Sequence, residues 1–230
     1  MEYTKYLKPI EELDNLENFN NNKPDYLNDN EKIRKYRFFV RPGESAKAVF
    51  LDSFRFVIWE HQYKKGNDFH NYETCLRDIE GECPLCEAGN RPYTIIVSTV
   101  LNKYIDKDGN TKFFKKLICA KGDALTILKR RQNELKDLRG KVFEFYRSNK
   151  PKSNAVGTDI QFIKEIDLES LRPYCPEGVK FEEWLEPFDY ALIFRPKSVV
   201  ELKKILGMDI GVGEEENNVD NIEENLEDLI

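Results

Sequence analysis

Three of the chain's five cysteines and both of its histidines fall between residues 61 and 86. Cys83-Pro84-Leu85-Cys86 is a Cys-x2-Cys knuckle, which sets two thiolates on one tight turn and forms half of many tetrahedral zinc sites. Seven residues separate Cys75 from Cys83, and thirteen separate His61 from Cys75. Loops of that length can close a four-donor set. His61, Cys75, Cys83 and Cys86 are therefore the expected ligands of a structural Zn2+ ion, with His70 competing for the fourth position. A catalytic zinc keeps one position open and an acid or base beside it. Zinc deaminases, for example, place His-x-Glu ahead of Pro-Cys-x-x-Cys. Here His61 is followed by Gln62-Tyr63, the proline lies inside the knuckle, and four donors leave no vacancy. A structural site in a chain that is not an enzyme is the expectation. Cys119 and Cys175 stand apart and read as ordinary thiols.

The second chemical pattern is an interleaving of aromatic and basic residues. Examples are Tyr36-Arg37-Phe38-Phe39-Val40-Arg41, Phe54-Arg55-Phe56, Phe113-Phe114-Lys115-Lys116 and Phe143-Glu144-Phe145-Tyr146-Arg147. Proteins that hold single-stranded nucleic acid combine cations for phosphate with aromatic faces for bases. In a strand, alternate residues share a face. Arg37, Phe39 and Arg41 then fall together, as do Arg55 with Trp59 and Phe114 with Lys116. Tyr146, beside Glu144, and Phe145, beside Arg147, compete for the same role. The candidate contact set is Arg37, Phe39, Arg41, Arg55, Trp59, Phe114, Lys116, Tyr146 and Arg147. About half of such aromatics must be core, because one face of each strand is interior.

Charge is distributed unevenly. Residues 32–164 carry 27 Lys and Arg against 16 Asp and Glu, a net of +11, inside a chain of net −6. Residues 1–31 carry −5, and residues 214–230 hold eight carboxylates and no cation before ending in Asp228-Leu229-Ile230. A basic centre with acidic ends fits a nucleic-acid binder with a regulatory tail. Asp228, Leu229 and Ile230 are candidate partner-binding residues, an apolar tip on an acidic lead.

These residues need elements to position them. Residues 1–31 form an acidic extension with a possible helix over 9–19, broken at Asn20-Asn21-Asn22-Lys23-Pro24. Strands are expected over Tyr36–Val40 and 46–59, and a metal module inserted as a loop over 61–90. Two further strands, over 93–105 and 112–120, are joined by Asp106-Lys107-Asp108-Gly109-Asn110, a hairpin-turn pattern. An amphipathic helix over 123–138 is stopped by Gly140, and strands over 141–147 and 158–166 follow. Residues 169–207 read as an accessory segment with helices at 181–186 and 198–206, and residues 208–230 as a disordered acidic tail. The order is that of a mainly β (α+β) chain, an OB-fold five-stranded barrel over 32–168 carrying the zinc module. No apolar run is long enough for a membrane span, and the opening residues are not a signal peptide. No membrane partner is expected. Reduced, clustered thiols point to the cytoplasm.

The motifs Trp59-Glu60-His61, Cys75, Glu82-Cys83-Pro84-Leu85-Cys86, Leu138-Arg139-Gly140-Lys141-Val142-Phe143 and the Glu-rich end together resemble the zinc-containing single-stranded DNA-binding proteins of tailed bacteriophages. The resemblance implies an OB-fold core, a His/Cys3 zinc module and sequence-tolerant binding and protection of single-stranded DNA in replication, recombination and repair. It also implies a location in the host-cell cytoplasm and an acidic tail that recruits replication or recombination proteins. One departure concerns cooperativity: the best-known relatives begin with a basic segment, whereas residues 1–31 here are acidic. A zinc-ribbon transcription or RNA-binding adaptor would share the knuckle and the basic centre. A nuclease would need clustered carboxylates for magnesium, and the basic core has no compact acid-rich motif.

Overall fold

The computed structural model describes residues 6–10, 36–65 and 68–208, with the side chains of residues 65 and 68–70 excepted. The expected helix beyond residue 10 and the acidic tail, with Asp228, Leu229 and Ile230, lie outside the described residues.

One long strand organises the sheet. β5 (Tyr93–Ile105) is thirteen residues long and spans about 40 Å at roughly 3.3 Å per residue. Its middle reads Ile-Ile-Val-Ser-Thr-Val-Leu and is buried on both faces, the texture of a strand covered from above and below. Along one edge it pairs first with β3 (Phe56–Lys65) and then with β2 (Ser45–Phe50). Along the other it pairs over its length with β6 (Thr111–Ala120). The short β1 (Lys8–Pro9) and β4 (Asp68–Thr74) flank β3. β7 (Lys141–Tyr146) and β8 (Asp159–Glu165) extend the sheet from β2.

Among the described residues, eight strands form one antiparallel sheet, with one isolated parallel bridge between Arg37 and Leu117. The sheet is open. The expected five-stranded closed barrel is thereby corrected: among the described residues, β8 pairs only with β7, and β1 and β4 pair only with β3. β5 takes three partners, so the ladder branches where a barrel would close.

One face packs Phe50, Val100, Ile118, Phe143 and Phe145 against Phe38, Val40 and the helix α3 (Gly122–Leu135), which contributes Ala124 and Leu128. The opposite face is covered by the chain after β8: a 3-10 helix (Leu168–Tyr174), then α4 (Phe181–Trp184) and α5 (Tyr190–Ile193). The last described helix is α6 (Val199–Leu206).

Four places differ from the sequence reading. The strand expected over Tyr36–Val40 is reduced to one bridge at Arg37, the rest being irregular chain whose Phe38 and Val40 enter the core. The strand expected over 46–59 is two strands, broken at residues 51–55. The break is held by the buried Asp52 carboxylate, which accepts hydrogen bonds from the Thr99 amide (2.8 Å), the Ser98 hydroxyl (2.9 Å) and the Tyr190 hydroxyl (2.7 Å). α3 ends at Leu135 because Lys136 turns to φ 66°, freeing Leu138 to enter the core. Gly140 is then the turn residue that leads into β7 rather than the cap of the helix. Its φ is +77°, and a side chain there would meet the Ile166 carbonyl at 2.9 Å. The hairpin between β5 and β6 forms as expected, with Asp106 accepting from the Asp108 and Asn110 amides and Gly109 at φ 82°.

Candidate metal centre and exposed aromatic face

The expected insertion at 61–90 is more ordered than a loop. β3 runs on past Trp59 to Lys65 and returns as β4, so His61 stands within a strand, opposite Glu73. Cys75 follows β4 directly, and its amide still bonds the Trp59 carbonyl at 2.9 Å. After the short α1 (Arg77–Glu80), Gly81 reverses the chain at φ 81°. Cys83 caps α2 (Pro84–Glu87) in extended geometry, with Pro84 at the first helical position, where its missing N–H is not needed. Cys86 then projects from that one-turn helix.

His61, Cys75, Cys83 and Cys86 converge, and their donor atoms all lie within 4.8 Å of one another. The His61 Nε2 atom is 3.4 Å from Cys83 Sγ and 3.6 Å from Cys86 Sγ, and Cys75 Sγ is 3.7 Å from Cys86 Sγ. Bonds of about 2.3 Å to sulfur and 2.0–2.1 Å to nitrogen give tetrahedron edges of about 3.8 Å between sulfurs and 3.6 Å between sulfur and nitrogen. These three distances lie close to those edges, whereas a disulfide needs about 2.05 Å, and all five cysteines are free. The cluster can hold a metal ion.

Three thiols packed together cannot all ionise unaided. The Cys83 thiol is held down at about 3, first by the Cys75 thiol, then, against burial, by His61 and the Leu76 amide. The Cys75 thiol is pushed up by that same hydrogen bond and by burial. A bound cation resolves the conflict by neutralising the thiolates. Asn90 sets the imidazole. Its amide nitrogen donates to the Gln62 carbonyl at 2.7 Å, which turns its Oδ1 toward His61 Nδ1 at 3.2 Å. The proton therefore sits on Nδ1, and the Nε2 lone pair faces the sulfurs. His70 belongs to β4 by its backbone, and its side chain lies outside the described residues.

The nucleic-acid candidates divide in two. Arg37 is an interior residue: it pairs with the buried Glu60, and its guanidinium lies 3.9 Å from the centre of the Tyr72 ring. Arg147 is buried, bonding Ser153 Oγ at 3.0 Å and the Val40 carbonyl at 3.2 Å. Trp59 packs in the cluster behind the metal ligands. Each spans two segments of the fold. Period-two reasoning grouped Arg37 with Phe39 and Arg41 without registering the partner beneath it. By contrast Arg41 is 74% exposed, Phe114 51%, Phe39 43% and Tyr146 41%, and Arg55 is exposed as well. Lys116 is half-buried on the same face of β6 as Phe114.

Tyr104 was missed by the sequence reading. It stacks on Phe114, ring centres 4.2 Å apart and planes inclined by 10°. The hairpin register pairs Tyr104 with Lys112, which makes Phe114 its diagonal neighbour. The five-residue turn at 106–110 carried that signal, since it sets the register.

No protein-family model matches this chain, and neither does any curated protein or solved structure. Among the described residues, no helix is long and apolar enough to cross a membrane.

Proposed function

We propose that the chain binds and protects single-stranded DNA, without catalysis, in replication, recombination and repair. In this reading the sheet is an opened OB-fold and the His/Cys3 cluster holds a structural Zn2+ ion. The observation that carries it is the Tyr104–Phe114 stack. An exposed phenyl ring backed by a parallel second ring is a rigid platform for a base, and stacking on such a ring is worth about 1–3 kcal/mol per base. Lys112, Phe114 and Lys116 succeed one another on one face of β6, at a repeat of about 6.7 Å. That lets phosphates lie on either side of a stacked base. Tyr146 stands toward the same end of the sheet, since Ser45 pairs with Tyr146 and Lys47 with Lys103, but on the opposite face from Phe114, alternating with Phe145 as Phe114 alternates with Phe113.

Zinc is favoured among metals because three thiolates and one imidazole form a closed tetrahedral set. The ion would supply cross-linking of β3, β4 and α2, and four protein donors leave it no role on a substrate. The carboxylate-rich stretch 214–230 is the proposed site for replication or recombination proteins. Titrating intrinsic fluorescence with a single-stranded oligonucleotide and its duplex, at two salt concentrations, tests the reading. Quenching by the single strand that weakens steeply with salt is expected. A preference for duplex or RNA would put the adaptor reading in its place.

A further inference from the structure

The chain after β8 is anchored in two different ways. α5 belongs to the sheet: Tyr190 and Phe194 pack with Phe56, Ile58 and Leu117. Tyr190 also bonds Asp52, and Thr74 Oγ1 donates to the Phe194 carbonyl at 2.7 Å. Lys197 closes this segment with an ion pair to Glu73 of β4.

α6, only a few residues on, packs on the metal module instead. Val199, Leu202, Ile205 and Leu206 join one cluster with Tyr63, Leu76 and Leu85, and Leu202 is 1% exposed. Leu76 adjoins the ligand Cys75, and Leu85 lies between the ligands Cys83 and Cys86. The seat of α6 is thus made by Trp59 and Tyr63 of β3 together with the two short loops that carry Cys75, Cys83 and Cys86. α1 and α2 are one turn each, and besides the four donors the loops are held by the Cys75 amide on the Trp59 carbonyl, the Asn90 amide on the Leu85 carbonyl and the Lys8–Asp78 ion pair. Ser198 and Glu201 form a capping box that starts α6 afresh after Pro196, so the helix is a unit separable from α5.

We infer that the metal centre is a latch for α6: metal bound, the helix is seated; metal lost, residues 198–208 detach while α5 stays on the sheet. α6 leads into the most acidic stretch of the chain, eight carboxylates within residues 214–230. The metal state therefore sets how far along the chain the described fold is held ahead of that stretch, to Gly207 when the latch is closed and to Lys197 when it is open.

Hydrogen exchange read by mass spectrometry on the full chain, zinc-loaded and after chelation, tests the latch, with metal content measured on the same samples. Amides of α6 are expected to exchange at least tenfold faster after chelation, α5 and β5 to keep their protection, and added zinc to restore α6. Leu202→Ala is expected to free α6 while the cobalt-substituted protein keeps its thiolate absorption. Unchanged α6 exchange after confirmed metal loss overturns the latch, as does equal loss of protection in α5 and β5. The inference rests on the cluster being a metal centre. A chain that takes up neither zinc nor cobalt overturns both readings, whereas one that binds metal but leaves α6 unmoved overturns the latch alone.

Discussion

The two ends of β5 solve opposite problems with similar residue types. At its start, where Tyr93 pairs with Glu60, polar and ionisable groups are turned inward: three thiols, His61, and the Arg37–Glu60 pair. At its end, where Tyr104 pairs with Lys112, rings and cations are turned outward, and Phe114 keeps half its surface in water. An inward polar group is costly unless every donor and acceptor is matched. At the first end most of these groups are matched by a named partner, and substitution there is felt as lost stability. The second end is stabilised by little beyond its own hairpin, so substitution there is felt by whatever it binds.

Removing a ligand is the strongest way to test that contrast. Cys83→Ser is expected to lose the metal and cost more than about 4 kcal/mol, a fall in Tm on the order of 10 °C. A Tm within a degree or two of the parent in calorimetry would place the metal outside the fold's stability. Phe114→Ala is the mirror experiment. Loss of a stacking platform is expected to weaken binding of a single-stranded oligonucleotide roughly 5- to 150-fold, the equivalent of about 1–3 kcal/mol, with Tm unmoved. Arg147→Ala, at a candidate that proved interior, should instead lower Tm, because it leaves Ser153 and the Val40 carbonyl without their donor.

A smaller effect is expected at Asn90. Its replacement by Ala releases the His61 ring, and metal affinity, read by chelator competition, should fall about 10- to 100-fold while the oligonucleotide affinity of the loaded protein holds. Arg41→Ala should do the reverse in miniature, lowering the slope of log affinity against log salt by about 1 and leaving chelator competition untouched.

The weakest expected signal comes from between the ends, at Asp52. Burial raises its carboxyl above the ordinary range, against the hydrogen bonds from Tyr190, Thr99 and Ser98. The folded state then holds the proton more tightly than the unfolded one. This contribution to stability is present below the unfolded pKa and is lost as pH rises through the folded one. Denaturant titrations across acidic pH should show the parent losing stability relative to Asp52→Asn as pH rises. Parallel curves would mean that Asp52 titrates normally.

Much of the metal end was legible because its chemistry is local. The knuckle Cys83-Pro84-Leu85-Cys86 is one turn of helix with a proline start, and spacing alone nominated Cys75 and His61. The hairpin was equally plain, since Asp106 and Gly109 dictate a turn whatever surrounds them. Asn90 was not legible, because its role depends on β3 passing beside it. Nor was the separation of Arg37 and Arg147 from Arg41: all three alternate with aromatics, and only the partner across the sheet distinguishes them. The break at Asp52 hid inside an apolar run, because its three donors come from β5 and α5, 46 to 138 residues away.

What the sequence determined by itself is therefore what short-range forces decide: turns, the alternation of strands, the helical periodicity of α3, the cysteine donors and the polarity of charge, while the choice of His61 over His70 came from the fold. Tertiary structure alone decided which face each strand turns to solvent, that the sheet stays open, and that α6 rests on the metal module rather than on the sheet. The physical reason is register. A strand carries its alternation in its own residues, but which side is buried, and by whom, is set by partners far along the chain.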